Sequence, residues 1–286
     1  MATLHILGTG TPTPTPERFG SAYAVNVGET VLMFDCGPAA THKLVKAGLW
    51  PTDVDHLFFT HHHFDHDADY PCFLLTRWDQ STGVEDDLHV HGPKLTEKLT
   101  RDLIGPDGAF AHDYRARIEH PGSQRVHVLR GGTLPRIPPY ERVHARDYEP
   151  GEIARGDGWR VTAAPAVHAE PWLLSLAYRL DVNGKSIVFT GDTEPCDAVT
   201  ELAQGADLML CMCWGLEEKL IADGETHGVC GTRGAASMAQ AAGVERLMLV
   251  HTGAALDGHE EEAVDDAGKA YEGEIIFASE LDQLEL

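Results

Sequence analysis

Residues 60–66 read Thr60-His61-His62-His63-Phe64-Asp65-His66, which places His-x-His-x-Asp-His directly after the apolar stretch His56-Leu57-Phe58-Phe59. In an extended segment alternate side chains share a face. His61 and His63 are therefore spaced to grip one cation, and Asp65 and His66, at the following bend, to reach a second. Imidazole and carboxylate are the donors that suit zinc and its first-row neighbours. His62 lies between two candidate ligands and points the other way, which gives it a supporting or surface position. A pair of divalent cations held in this way lowers the pKa of a water between them and polarises the bond it attacks, so the chemistry implied is hydrolysis.

One segment cannot complete two coordination spheres, so further ligands must come from elsewhere in the chain. Three residues stand where they are expected. His168 closes the run Trp159-Arg160-Val161-Thr162-Ala163-Ala164-Pro165-Ala166-Val167, Asp192 follows Ile187-Val188-Phe189-Thr190-Gly191, and His251 follows Arg246-Leu247-Met248-Leu249-Val250. Each is a polar residue at the C-terminal end of an apolar strand, where the loops of layered α/β folds gather function.

The elements that must position these residues are legible in outline. Strands are expected near 3–7, 21–27 and 30–35, a helix from Pro38 to Gly48, and a strand at Leu57–Thr60. Asp87-Leu88-His89-Val90-His91-Gly92-Pro93 reads as a strand entering a helix that runs to about Leu103; His89 and His91 share a face, but no acidic residue or third histidine completes a ligand pattern. Leu173–Val182 and Lys185–Thr190 form a hairpin through Asn183-Gly184, the dipeptide that favours a type I′ turn. Helices follow at Pro195–Ala203 and at Thr232–Ala242, the latter with Thr232 as its cap and Gly243 as its stop. Strand Leu247–His251, an acidic helix over Glu260–Tyr271 and strand Glu274–Phe277 close the chain. The stretch 105–158, rich in Gly, Pro and Arg, is the least regular part and is expected to be a lid or a dimer contact.

Gly8-Thr9-Gly10-Thr11-Pro12, Phe34-Asp35-Cys36-Gly37, the His61 to His66 motif, Val167-His168, Thr190-Gly191-Asp192-Thr193 and Val250-His251-Thr252, in this order, resemble the metallo-β-lactamase superfamily and, within it, the ribonuclease Z-like branch. No Gly-Lys-Ser/Thr follows Gly8 or Gly10, so the early glycines are a strand turn and not a phosphate cradle. The resemblance implies a four-layer αββα sandwich of the α/β class spanning residues 1–286 as one domain. It implies one metal on His61, His63 and His168, a second on Asp65, His66 and His251, and Asp192 bridging them. Two divalent ions are expected, Zn2+ first, with Mn2+ or Fe2+ accepted by the same donors. Asp65 would orient or deprotonate the nucleophile. His227, in Glu225-Thr226-His227-Gly228, is placed like a histidine that assists the scissile group in ribonuclease Z-like enzymes.

The substrate expected from the sequence is not RNA. Ribonuclease Z carries a tRNA-clamping arm between its third and fourth metal motifs, and the interval from His168 to Asp192 is too short for one. The formal net charge of −23 repels polyanions, and no Lys/Arg stripe with interleaved aromatics compensates. The short interval is similar to that of acyl-homoserine lactonases. Phe64, Tyr70, Trp172 and Trp214 are candidate lining residues of an apolar slot. The expected reaction is hydrolysis of a carboxylic ester, lactone or activated aryl ester or ether in a small, weakly charged molecule. A small phosphodiesterase is the alternative, favoured if Arg77 or Arg233 faces the metals, and a non-catalytic accessory subunit is the second class.

With 286 residues and 43% apolar content, the chain can bury a large core. No run approaches the roughly 20 apolar residues that span a bilayer, and Met1-Ala2-Thr3-Leu4-His5-Ile6-Leu7 lacks the basic start of a secretory signal. A cytoplasmic protein is expected, without membrane or nucleic-acid partners, as a homodimer or in complex with a related subunit. The six cysteines form no Cys-x-x-Cys pair. Cys211 and Cys213 alternate in an apolar strand and read as buried thiols.

Overall fold

The computed structural model describes residues 2–286. Its first seven-stranded sheet contains β1 (Ala2–Thr9), β2 (Ser21–Val27), β3 (Thr30–Phe34), β4 (Val54–Phe58), β5 (Leu88–Gly92), β6 (Val143–Asp147) and the last strand of the chain, β14 (Gln283–Glu285), in the order β14-β1-β2-β3-β4-β5-β6. The second, also seven-stranded, contains β7 (Gly151–Gly156), β8 (Trp159–Ala166), β9 (Ser175–Val182), β10 (Lys185–Phe189), β11 (Leu208–Cys213), β12 (Arg246–Thr252) and β13 (Glu274–Phe277) in reverse sequence order.

Strand alternation assembles the layers. Leu32 and Phe34 of β3, Ile187 and Phe189 of β10 and Met248 and Val250 of β12 point into the space between the sheets. There Phe34 stacks on Phe189 with ring centroids 4.0 Å apart and on Phe58 at 5.0 Å. The intervening residues point outward: Val31 and Met33 meet α1 (Ala40–Lys46) and its neighbours, and Val188, Leu247 and Leu249 meet the helices over the second sheet. Both faces of the central strands are thus apolar, which is why they read as continuous hydrophobic runs. The first sheet is also covered by α2 (Phe64–Asp67), α3 (Tyr70–Gln80) and α4 (Thr96–Ile104), and α5 (Ala111–Glu119), with α6 (Pro121–Leu129) beside it, packs on α3 through Tyr114 and Trp78. The second carries α7 (Asp197–Leu202), α8 (Glu217–Asp223), α9 (Thr232–Ala242) and α10 (Glu260–Ala267). The expected αββα sandwich is present.

Local details differ from the sequence reading in places. The hairpin turn has Asn183 at φ 52° and Gly184 at φ 82°, the two positive angles of a type I′ turn. Thr232 does not cap α9: it is the first helical residue, and its hydroxyl donates to Asp266 Oδ2 at 2.5 Å. The stretch 105–158 is not irregular. It holds α5 and α6, and its strands β6 and β7 complete the edges of the two sheets. The apolar and aromatic residues that seat it, Tyr114 against Trp78 and Tyr140, are too widely spaced to show a period. No helix among the described residues is long and apolar enough to cross a membrane.

Candidate metal centre

Strands β3 to β6 run parallel, and so do β10 to β13; β8 shares the direction of β10, since both are antiparallel to β9. The C-terminal ends of β4, β8, β10 and β12 and the segments that follow them bring together residues far apart in sequence, with His251 still within β12 and Asp65 and His66 on α2. His61, His63, Asp65 and His66 come from the first sheet, and His168, Asp192 and His251 from the second.

The seven side chains converge. His63 Nδ1 lies 3.1 Å from His61 Nε2 and 3.0 Å from His168 Nε2. Asp192 Oδ1 is 3.3 Å from His66 Nε2, and Asp192 Oδ2 is 3.1 Å from His251 Nε2 and 3.7 Å from His168 Nε2. Asp65 Oδ2 is 3.7 Å from both His66 Nε2 and His251 Nε2. His61/His63/His168, His61/His66/Asp192 and Asp65/His66/His251 each present donor atoms within 4.8 Å of one another.

An outer ring of hydrogen bonds fixes the ring orientations. His66 Nδ1 donates to Asp35 Oδ2 at 2.8 Å, and the same carboxylate accepts from Thr60 N and Thr60 Oγ1 at 2.7 and 2.8 Å. His168 Nδ1 donates to Gly228 O at 2.5 Å. His251 Nδ1 is 2.9 Å from Ser21 Oγ. With the outward nitrogens so engaged, the inward ones are left to point at the centre. His62 turns away, with Nε2 2.8 Å from Thr96 Oγ1. Two glycines allow close approach: a Cβ on Gly228, at φ 70°, would lie 2.3 Å from His168 O, and one on Gly37 2.1 Å from Asp65 O. Asp35 and His251 hold positive φ without being glycine, at 58° and 48°, local strain of the kind that gathers at functional sites.

The electrostatics match a cation site. Burial, reinforced by the neighbouring His66 ring, drives His61 well below its ordinary pKa, and burial with His168 lowers His63, so both are neutral donors. Burial alone would lower His66, but Asp192 and Asp35 outweigh it and hold the ring well above its usual range. Burial would raise Asp192, yet His251 and His66 hold it well below the carboxylate range. Asp65 Oδ2, His66 Nε2, Asp192 Oδ1 and His251 Nε2 are buried with no hydrogen-bond partner. Four orphaned donor atoms facing one point are costly unless a cation satisfies them, and nitrogen and carboxylate oxygen are donors that divalent first-row ions accept. The residues fit a divalent metal site.

The remaining candidates separate. Phe64 and Trp172 are exposed, and the Trp214 ring, half-buried, lies 6.3 Å from that of His251. Tyr70 does not line the mouth: it is fully buried in the helical layer, and its hydroxyl is 2.8 Å from Thr100 Oγ1. Its position on α3, one turn beyond α2, directs it into the core. His227 is almost fully exposed, its Nδ1 3.9 Å from Glu194 Oε2. Arg77 donates to the carbonyls of Pro51, Thr52 and Asp86, Arg233 pairs with Glu218 and Asp266, and Lys219 pairs with Asp223. His91 Nε2 meets His56 Nδ1 at 3.1 Å and forms no ligand group of three. Asp35 stood within a recognisable motif, but its role as the orienter of His66 had no sequence signal; Ser21 and Gly228 had none either.

The Beta-lactamase superfamily domain model matches residues 30–252. Ribonuclease Z of Mycobacterium bovis (strain BCG / Pasteur 1173P2) is 29% identical over 293 residues, covering 100% of this chain and 99% of that protein. Among solved structures, the metallo-beta-lactamase fold protein YhfI from Bacillus subtilis is similar at TM-score 0.75 and 19% identity, covering 100% of this chain and 99% of that one. Human tRNase Z, short form, is similar at TM-score 0.65 and 21% identity, covering 99% and 98%.

These relatives correct the expected substrate. A small, weakly charged ester, lactone or aryl ether, and the exclusion of nucleic acid, do not stand against a series of end-to-end relatives named Ribonuclease Z. Net charge was the wrong quantity, because it sums the whole surface while screening confines each charge to about 8–10 Å. The absent arm was also too weak a discriminator: β9 and β10 are joined directly through Asn183-Gly184, yet the chain still aligns with nearly the full length of relatives bearing that name. The matched domain model, the layered fold and the end-to-end relatives agree, and the chain belongs to the beta-lactamase superfamily as a ribonuclease Z-like hydrolase with the metallo-β-lactamase fold.

Proposed function

We propose that this protein is a divalent-metal-dependent phosphodiesterase whose substrate is RNA. The observation that carries the reading is the end-to-end similarity to relatives named Ribonuclease Z, joined to a cluster of seven ligand-type side chains with four unpartnered buried atoms. In this reading the site would take two ions, zinc first: His61, His63 and His168 would hold one, Asp65, His66 and His251 the other, and Asp192 is within reach of residues of both sets.

When bound, such a pair lowers the pKa of water and neutralises charge on phosphoryl oxygens. The protein's own groups do the rest. Asp65 would face the cation through Oδ2, the atom without a hydrogen-bond partner, which leaves its second carboxylate oxygen to orient the attacking oxygen and receive its proton. Asp35, Ser21 and the Gly228 carbonyl lock three imidazoles in the orientation the site needs. His227, next to the glycine that holds His168, donates a proton to the departing ribose oxygen as the P–O bond breaks. Because Arg77, Arg233 and Lys219 are engaged elsewhere, the phosphate charge is met by the cations and not by a guanidinium clamp.

The test is cleavage by metal-loaded protein of end-labelled RNA, including a tRNA with a 3′ extension, alongside bis-p-nitrophenyl phosphate. Metal-dependent, chelator-sensitive cleavage of RNA supports the reading. Turnover of the chromogenic diester with every RNA left intact would reject RNA as the substrate.

A further inference from the structure

An indole is among the largest apolar surfaces that a side chain carries, and Trp172 is 84% exposed. Its place in the chain is specific. The loop from His168 to Leu176 begins at a candidate metal ligand and ends where Leu176 N donates to Thr60 O at 2.9 Å, beside His61. The loop is held in shape from within: Trp172 N and Leu173 N donate to Ala169 O at 3.0 and 3.2 Å, and the Glu170 carboxylate accepts from His168 N at 2.8 Å and Ser175 N at 3.1 Å. Its tip is therefore a fixed turn that displays an indole. Phe64, 55% exposed, directly follows His63 and opens α2. Two displayed aromatic rings thus sit on the segments that carry His61, His63 and His168; Trp50, exposed by 54%, stands before the N-terminal end of β4, and Trp78 and Trp159 are buried. Val167 and Leu174, on either side of His168 and Trp172 in the chain, are also partly exposed, by 41% and 39%.

Resting on the reading of RNA as the substrate, we propose that Trp172 and Phe64 are stacking platforms for unpaired nucleobases flanking the scissile phosphate. A planar ring offered to solvent beside a phosphate-binding site matches the π-face of a base. Stacking of this kind is indifferent to base identity and acts on splayed single strands, since a base within a duplex has both faces covered. It also supplies an attachment to RNA that needs no guanidinium, Arg77 and Arg233 being engaged elsewhere. The substrate class is accordingly an unpaired stretch or end of RNA, with little sequence preference.

The experiment is a cycle between protein and substrate. A single-stranded oligoribonucleotide is cleaved by metal-loaded wild-type protein, the cut is mapped, and the measurement is repeated with an abasic residue on either side of the cut. Trp172→Ala should raise KM about tenfold on the intact oligonucleotide, with metal content unchanged, while Trp172→Phe keeps most of the affinity. One of the abasic substrates should show the same loss with wild-type protein and no further loss with Trp172→Ala. Phe64→Ala should behave likewise for the other position. Equal penalties from Trp172→Ala on intact and abasic RNA would overturn the proposal, as would no penalty on either. A wild-type dimer in sedimentation that Trp172→Ala dissolves would assign the indole to a subunit contact instead. If wild-type protein cleaves the chromogenic diester and no RNA, the reading of the substrate falls and this inference with it; if RNA is cleaved and the cycle shows no coupling, only the inference falls.

Discussion

His66 and Asp192, which hang from different sheets, meet at 3.3 Å through Nε2 and Oδ1, while the other nitrogen of His66 is tied to Asp35 at 2.8 Å. Asp192 makes this contact and, through its second oxygen, approaches both His251 and His168. It thus approaches His66 of one trio of candidate ligands and His168 of the other.

Asp192→Ala should therefore remove bound metal and activity together. The loss should exceed the roughly 10–100-fold cost of deleting an outer hydrogen-bond partner. Metal content of the purified variant, with turnover of bis-p-nitrophenyl phosphate, checks this, and two ions still tightly bound would refute the bridging position.

Asp35→Asn keeps the shape of the side chain but removes the charge that holds His66. Metal affinity should fall by about 10–100-fold, while the fold persists because the Thr60 amide still finds an oxygen. Titration with a competing chelator measures it, and an affinity equal to wild type would show that Asp35 does not orient the ligand.

His227→Ala should slow RNA cleavage by about 100-fold or more if this ring protonates the leaving oxygen. The same change should scarcely affect bis-p-nitrophenyl phosphate, whose leaving group departs without a proton. Equal loss on both substrates would assign His227 to binding or to loop structure.

Stability should depend on pH through a pair of rings outside the metal centre. Burial pushes His56 down to about 4 and His91 to about 3 from an ordinary 6.5; the two rings share a hydrogen bond, and His91 stacks on Phe58 at 4.6 Å. Both stay neutral in the folded state while the unfolded chain takes up protons below pH 6.5. Their contribution is therefore complete above 6.5 and is lost as pH falls from 6.5 towards 4 and then 3. His91→Phe preserves the stack and should flatten the dependence of the denaturation midpoint over that window. An unchanged slope would locate the acid sensitivity elsewhere.

Much of the framework was legible because its signals are periodic or local. Strand pairs such as Leu247 and Leu249 against Met248 and Val250 alternate between two apolar environments, and Asn183-Gly184 names its own turn. The candidate ligands could be found because each stands at the end of such a run. Legibility ended where function depends on distance. Nothing in the spacing of Ser21 and His251, or of Gly228 and His168, indicates that they touch. Tyr70 and Trp172 look alike as aromatics near a ligand, yet a helix turns the first into the core and a tight loop lifts the second into solvent. Charge failed for a related reason: a total taken over the chain carries no information about where the charges lie.

The division of the candidate ligands between the sheets has a mechanical consequence. Four of them belong to the first sheet and three to the second, and the surface packed between the sheets is mainly apolar, with few directional contacts such as Tyr178 Oη to Phe59 O and Leu176 N to Thr60 O. An ion gripped from both sides acts as a rivet through the sandwich. Stripping it with a chelator should lower the melting temperature as well as the activity, because binding restricted to the folded state adds its free energy to folding. The same rivet would set the docking of the two sheets to within a fraction of an ångström, so that substitutions deep in the shared core, at Phe34 or Phe189, should be felt first as weakened metal affinity.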